Sequence, residues 1–186
     1  VGRVVWMLSV SLDGFMEGPN REIDWHVVDD TLLTHFNDWL GEAGAFLDGR
    51  VTFELMAGYW PTADRDPATP PAVARFARIW REVPKYVYSR TLGLAGHHAT
   101  IVREVVPGEV EALKRRYAKD LVVGGAALGN AFLRLGLIDE IRVYVHPVLV
   151  GRGKPMFEPL DGHMPLRLEE NRVFDTGVVL LRYTRT

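Results

Sequence analysis

The stretch LVVGGAALGNAFL, Leu121 to Leu133, constrains the fold more than any other in the chain. Three apolar residues in a row suit a buried strand. Leu128, Ala131, Phe132 and Leu135 then recur at the spacing of one helix face. Gly124 and Gly125 stand where strand gives way to helix, so either the turn there is tight or something must approach the backbone closely. A strand leading into a helix in this way is the unit from which parallel sheets are built.

The rest of the chain repeats that unit. RVVWMLSV (3–10) is almost continuously apolar and reads as a strand buried on both faces. SLDGFMEGPN (11–20) is a loop by its Asp-Gly and Gly-Pro-Asn signals. Asp29 or Asp30 can cap a helix carrying Leu32, Leu33, Phe36 and Leu40. AFLD (45–48) is a further buried strand and GRVTFELM (49–56) a turn opening a helix, whereas PTADRDPATPP (61–71) is a surface loop.

Pro71 suits the first position of a helix with Val73, Phe76, Ala77 and Trp80 on one side. KYVYS (85–89) and ATIVR (99–103) read as strands, and Val110, Leu113 and Tyr117 mark a helix before the glycine turn. After it, EIRVYVHPVLV (140–150), LRLEE (166–170) and GVVLLRYT (177–184) are strands without helices between them. The expected fold is α/β in one domain over 1–186: a mostly parallel central sheet, covered on both faces, with antiparallel C-terminal strands. Such sheets bind ligands at the carboxyl ends of their strands, here near Ser9, Asp48, Ser89, Arg103 and Val123.

Composition removes several function classes. A net charge of −2 gives no basic surface for nucleic acid, and zero cysteines exclude disulfides and thiolate metal sites. Val4 to Val10 is too short to cross a bilayer and lacks a signal-peptide layout. A cytoplasmic protein with no membrane partner is expected. The six histidines form no H-E-x-x-H motif, so no metal site is expected, and His97-His98 reads as a solvated loop pair. His146 lies at a strand end near the supposed site, and Ser9 and Ser11 lack a nucleophile elbow.

The glycine turn has the context of a phosphate site, with a helix starting near Ala126. It does not match G-x-G-x-x-G, because Ala126 stands where the second glycine belongs, and Gly153-Lys154 is followed by Pro155 rather than Ser or Thr. Two other strand ends favour anions. GRVT (49–52) offers Gly49, Arg50 and the capping Thr52, and SRT (89–91) offers Ser89, Arg90 and Thr91, a guanidinium between two hydroxyls. Three such ends on one rim suit a ligand with separated phosphates, such as NADP.

In order, SLDG, IDW, LDGRVTFE, KYVYSRT, LVVGGAALGNAFL and DEIRVYVHPVLVGRG make the whole chain resemble the dihydrofolate-reductase-like family, nearest its riboflavin-biosynthesis reductase branch, the RibD C-terminal-like proteins. The resemblance implies a three-layer dihydrofolate-reductase-like fold, NADPH as cofactor and a homodimer formed through the C-terminal strands. It implies cofactor roles for Gly49, Arg50, Thr52, Ser89, Arg90, Gly124 and Gly125, with Thr91 and Ala126 beside them. The implied reaction is hydride transfer to a small heterocyclic or phosphoribosylamino-pyrimidine substrate. HPVLVGRG (146–153) is similar to the strand and loop beside that branch's active site.

The substrate side stays open between readings. Asp30 follows Trp25 at the spacing of the acid in folate reductases, and is equally placed to cap a helix. Asp13 can contact substrate or donate a proton, or can simply hold its own turn. Trp6, Trp25, Phe53, Leu55 and Trp60 could wall a flat ring, although Trp6 and Phe53 also fit the core. Folate enzymes need an arginine before the KYV strand, where this chain has the long Pro61–Pro84 insertion, which counts against dihydrofolate. Dihydrofolate reduction and NADP binding without turnover remain the alternatives.

Overall fold

Two short apolar runs far apart in sequence meet at the centre of the molecule. The computed structural model describes residues 1–186. From the N-terminus its elements are β1 (Val4–Ser11), β2 (Phe15–Glu17), α1 (Asp30–Leu40), β3 (Ala45–Gly49) and α2 (Arg50–Ala57). A 3₁₀ turn at Trp60–Thr62 leads to α3 (Pro71–Glu82), β4 (Lys85–Tyr88), β5 (Ala99–Val102), α4 (Pro107–Tyr117), β6 (Leu121–Gly124) and α5 (Ala126–Arg134). The last third holds β7 (Glu140–His146), β8 (Lys154–Pro155), β9 (Leu166–Val173) and β10 (Val179–Arg185).

The main sheet has eight strands in the order β5-β4-β3-β6-β1-β7-β10-β9. Strands β5 through β7 in that order are all parallel; β10 is antiparallel to β7, and β9 to β10. β6 is therefore inserted between β3 and β1, with Val5 opposite Val122 and Leu47 opposite Val123. Chain connections leave this centre in both directions, which opens a crevice at the carboxyl ends of β1, β3 and β6.

Residue alternation explains why these strands read as unbroken apolar runs. Val4, Trp6 and Val10 of β1, with Leu121 and Val123 of β6, face a core shared with Val110 of α4 and Leu128 and Phe132 of α5. Phe46 and Val122 face the opposite core, against Leu32 and Phe36 of α1 and Phe76 and Trp80 of α3. Both faces are buried, so both alternating sets must be apolar. The fold is the expected three-layer α/β architecture.

Helix starts follow local chemistry. Asp29, not Asp30, caps α1: its carboxylate accepts the Leu32 N–H at 2.8 Å. Pro71 and Pro107 occupy the first positions of α3 and α4, where a missing N–H costs nothing. The strand expected over 140–150 ends at His146, because Pro147 cannot donate to a ladder. The loop expected over 11–20 contains β2, which pairs antiparallel with β8 to form a small flap above the crevice. No helix is long and apolar enough to cross a membrane.

Candidate active site

The glycines of the β6–α5 turn are needed both for the turn and for what lies against it. Gly125 has φ +83°, which a side chain adopts only under strain, and a Cβ there would sit 2.5 Å from Thr52 Oγ1. A Cβ on Gly124 would overlap Asp48 Oδ1. The ends of β3 and β6 therefore touch, and side chains would force them apart.

That contact brings two helix N-termini to one place. Gly49 precedes α2 and Gly125 precedes α5, and neither offers a side-chain cap. Their first-turn N–H groups stay available, with the positive ends of two helix dipoles. A cleft of about 400 Å³ runs between them, lined by Gly49, Arg50, Thr52, Gly124, Gly125 and Ala126. Arg21, Lys154 and Tyr88 complete it, so three cations face one acid, Glu17. Uncapped N–H groups and cations around bare glycine backbone suit a diphosphate.

Met16, Glu17, Val51, Thr52, Gly124 and Gly125 also border a second cleft of about 470 Å³. This one is mostly apolar. It lies between the sheet, α1, α2 and α3, with Met7, Leu33, Phe36, Leu55, Met56 and Trp60 among its walls. Joined clefts, one cationic and one apolar, suit a dinucleotide beside a second molecule.

At the joint stands Asp48, 6% exposed, at the end of β3. Burial pushes its carboxyl up to about 7, with Lys85 on the adjacent strand pulling the other way. Burial also brings the Lys85 ammonium down to about 8, partly offset by Asp48. Lys85 Nζ donates to the Val83 carbonyl at 2.8 Å and sits 4.5 Å from the Trp80 ring centre. A buried carboxyl able to hold its proton near neutral pH is an unusual group to find at a cleft mouth.

The residues expected at the site divide in the structure. Gly49, Arg50, Thr52, Gly124, Gly125 and Ala126 are brought together. Ser89, Arg90 and Thr91 lie outside both clefts: Ser89 Oγ accepts from the Thr91 and Leu92 backbone, and Arg103 holds the same turn by its carbonyls. Trp60 and Leu55 line the apolar cleft, but Trp6 and Phe53 do not. Trp6 is fully buried beneath α5 and Phe53 packs against Trp80, so both are core side chains. Trp25 is a neighbour short of the cleft; its indole donates to the Glu22 carbonyl, and His26 reaches the wall instead.

Neither acid proposed as catalytic reaches the apolar cleft. Asp30 is exposed on the first turn of α1. Asp13 is exposed as well and clamps a loop: its carboxylate accepts from Ser11 Oγ, Val150 N and Gly151 N. The Ser11 hydroxyl, then those two N–H groups, hold it below the usual carboxylate range. It is a turn residue that fixes the approach to β8.

His26 and His146 stack with ring centres 5.0 Å apart. His146 Nδ1 accepts the Val27 N–H at 2.9 Å, which leaves any ring proton on Nε2. Burial, with His26 alongside, takes His146 down to about 4, and burial lowers His26 as well. Both rings are therefore neutral at physiological pH. No group of acids and histidines could hold a metal ion.

Sequence reasoning does not single out Asp48, Lys85, Arg21, Lys154, Tyr88 or His26 as site residues. The available signal is a charge inside each of two neighbouring apolar strands, Asp48 near the end of AFLDG and Lys85 opening KYVY. Water-excluded charges in such places are rarely idle.

Residues 3–180 match the family described as the RibD C-terminal domain. The chain belongs to that family. Within it, the chain is 37% identical over 185 residues to the uncharacterized protein YyaP of Bacillus subtilis (strain 168), covering 97% of this chain and 94% of that one. A putative riboflavin biosynthesis protein from Shewanella sp. PV-4 superposes with a TM-score of 0.75 at 20% identity, covering 99% of each chain. A pyrimidine reductase-like protein from Corynebacterium diphtheriae gives 0.65 at 14% identity, covering all of this RibD C-terminal domain and 92% of that chain. These structures share the dihydrofolate-reductase-like α/β fold, and the family's structural neighbours include riboflavin-pathway reductases.

Proposed function

We propose that this RibD C-terminal-like protein is an NADPH-dependent reductase of a small unsaturated or heterocyclic molecule. The observation that carries the reading is the convergence of two uncapped helix N-termini and three cations on one glycine turn, next to an apolar cleft. The backbone N–H groups at Gly125 and Ala126 would hold the diphosphate, Arg21 and Lys154 would offset its charge, and Arg50 would meet the additional phosphate of NADPH. NADPH, when bound, supplies the hydride.

The chain's own part is binding, orientation and exclusion of water. Gly124 and Gly125 let the cofactor lie against the backbone. The walls formed by Leu33, Phe36, Met56 and Trp60 keep the acceptor dry and close. Asp48 stands where the two ligands would meet and can present a proton to an acceptor heteroatom.

Titrating the protein with NADPH while following cofactor fluorescence tests the reading, followed by NADPH consumption with candidate acceptors. Saturable binding and consumption with at least one pyrimidine, pterin or carbonyl compound are expected. Tight binding with no oxidation of any acceptor would favour a non-catalytic NADP-binding protein. Turnover of dihydrofolate blocked by antifolates would favour a folate reductase, a reading weakened by the position of Asp30 outside the cleft.

A further inference from the structure

The apolar cleft contains neither lysine nor arginine. Its ionisable members are Glu17, His26 and Asp48, and its hydroxyls are Ser9 and Thr52. The nearby cations, Arg21, Arg50 and Lys154, all line the neighbouring cleft, where the cofactor's phosphates would occupy them.

This lining is hostile to a phosphorylated sugar. A phosphate monoester carries about −1.5 to −2 charges near pH 7, and an unpaired buried anion loses far more hydration than an apolar wall returns. Glu17 would add repulsion. Each sugar hydroxyl buried without a partner costs about 1–3 kcal/mol, and the cleft has few groups to spare. Flat apolar surface is what Phe36, Leu33, Met56 and Trp60 accommodate.

One polar group is nevertheless well placed. Asp48 is 6% exposed, lines the cleft, and lies against Gly124 at the border with the cofactor cleft. Its nearest cation, Lys85, is engaged with the Val83 carbonyl and the Trp80 ring. The carboxyl is thus free to act on a ligand in the cleft.

We propose that the cleft takes an uncharged, unphosphorylated, largely apolar molecule bearing a conjugated carbonyl or imine, whose heteroatom accepts a hydrogen bond from Asp48. The proposal rests on the reductase reading, in that it treats this cleft as the acceptor site beside NADPH. It separates this chain's substrate from the phosphoribosylamino-pyrimidine that the family resemblance implied. Burial, which brings Asp48 to about 7, keeps a large share of it protonated and able to donate at neutral pH.

Calorimetric titration of the full chain with 2-acetylnaphthalene, and displacement of that probe by uridine 5′-monophosphate, test the substrate class. The aromatic ketone is expected to bind at least ~100-fold tighter than the nucleotide, from the cost of burying an unpaired phosphate. Displacement at equal concentration would overturn the proposal. The infrared carbonyl stretch of the bound ketone tests Asp48. It is expected to shift down in the native protein and in Asp48→Asn, which keeps a donor, and to lose that shift in Asp48→Leu. An identical stretch in all three would remove Asp48 from the site. Retained preference for the ketone alongside failure to bind NADPH would uphold the cleft's specificity and reject the reductase reading alone.

Discussion

The Trp6 indole N–H donates to the Gly125 carbonyl oxygen at 3.1 Å, so the central strand is tied directly to the turn that would carry the cofactor. The same indole lies beneath Gly129, where a Cβ would overlap its ring. Floor, turn and helix thus form one packed unit.

Trp6→Phe removes that donor while keeping an aromatic ring. The Gly125 carbonyl then keeps only the Gly129 N–H, at 3.3 Å, so the lost hydrogen bond costs about 0.5–1.5 kcal/mol, and the smaller ring adds the cost of a cavity. Chemical denaturation is expected to show that loss, and NADPH titration a weaker complex because the turn relaxes. Unchanged stability would mean that the Gly129 N–H alone satisfies the carbonyl and that the core closes over the lost ring.

Gly125→Ala is expected to be worse for the cofactor than for the fold. At φ +83° and ψ 153° the backbone lies in a region essentially reserved for glycine, which costs a residue with a Cβ about 1–3 kcal/mol, and the methyl also crowds Thr52. NADPH affinity is expected to fall at least ~10-fold, more than the stability change requires, since the methyl enters the phosphate path. Fluorescence titration reads the first effect and thermal unfolding the second.

Arg50 lines the cationic cleft and pairs on the surface with Glu54 at 3.0 Å, whereas Arg90 lies outside it. Arg50→Ala is therefore expected to weaken NADPH by about 10-fold and NADH by much less, as one charge-assisted contact is worth about 1.5–3 kcal/mol. Arg90→Ala is expected to change little. Equal losses of NADPH and NADH would show that Arg50 does not contact the additional phosphate.

Acid and base act on stability through two buried groups with opposite signs. Asp48 is raised from 3.8 to about 7, so the folded state keeps its proton where the unfolded state has lost it. Its contribution is full below about pH 4 and is lost as pH rises through 7. His146 is lowered from 6.5 to about 4, so its contribution is full above 6.5 and is lost as pH falls toward 4. Asp48→Asn is expected to gain on the native protein by a few kcal/mol between pH 4 and 7, since a tenfold change in proton affinity is worth about 1.4 kcal/mol. His146→Leu is expected to narrow its deficit as pH falls over the same range. Urea unfolding across that range measures both slopes, and a parallel curve for either variant would remove its group from the balance.

The homodimer implied by the family resemblance is a proposal about β9, which is an exposed edge strand. Leu168 and Val173 on it are exposed apolar residues. Light scattering is expected to give twice the chain mass for the native protein and a monomer for Leu168→Lys.

Elements set by local chemistry are legible in the sequence. Pro71 opens α3, an Asp29 or Asp30 cap opens α1, and the run 121–123 is a strand before a glycine turn. Pairings that depend on distant partners are not. β2 and β8 are only three and two residues long and acquire their structure from each other, so no periodicity announces them. The site divides in the same way. Gly49, Arg50 and Gly125 stand out because backbone recognition needs special residues at fixed places. Asp13 reads equally as a substrate contact or as a turn residue and accepts from Val150 and Gly151, whereas Asp48 reads as a strand end and faces the cleft. Only three-dimensional burial distinguishes those two carboxylates.

The joined clefts differ in what lines them, and on the proposed reading this has an evolutionary consequence. On the proposed reading the cofactor side would depend chiefly on main-chain atoms at Gly49, Gly124 and Gly125, which most substitutions elsewhere leave untouched. The acceptor side would depend on interchangeable side chains such as Leu33, Met56 and Trp60, which line the apolar cleft. If the reductase reading holds, a lineage carrying this scaffold could exchange one substrate for another by a few replacements in α1 and α2 while its reducing power is inherited intact.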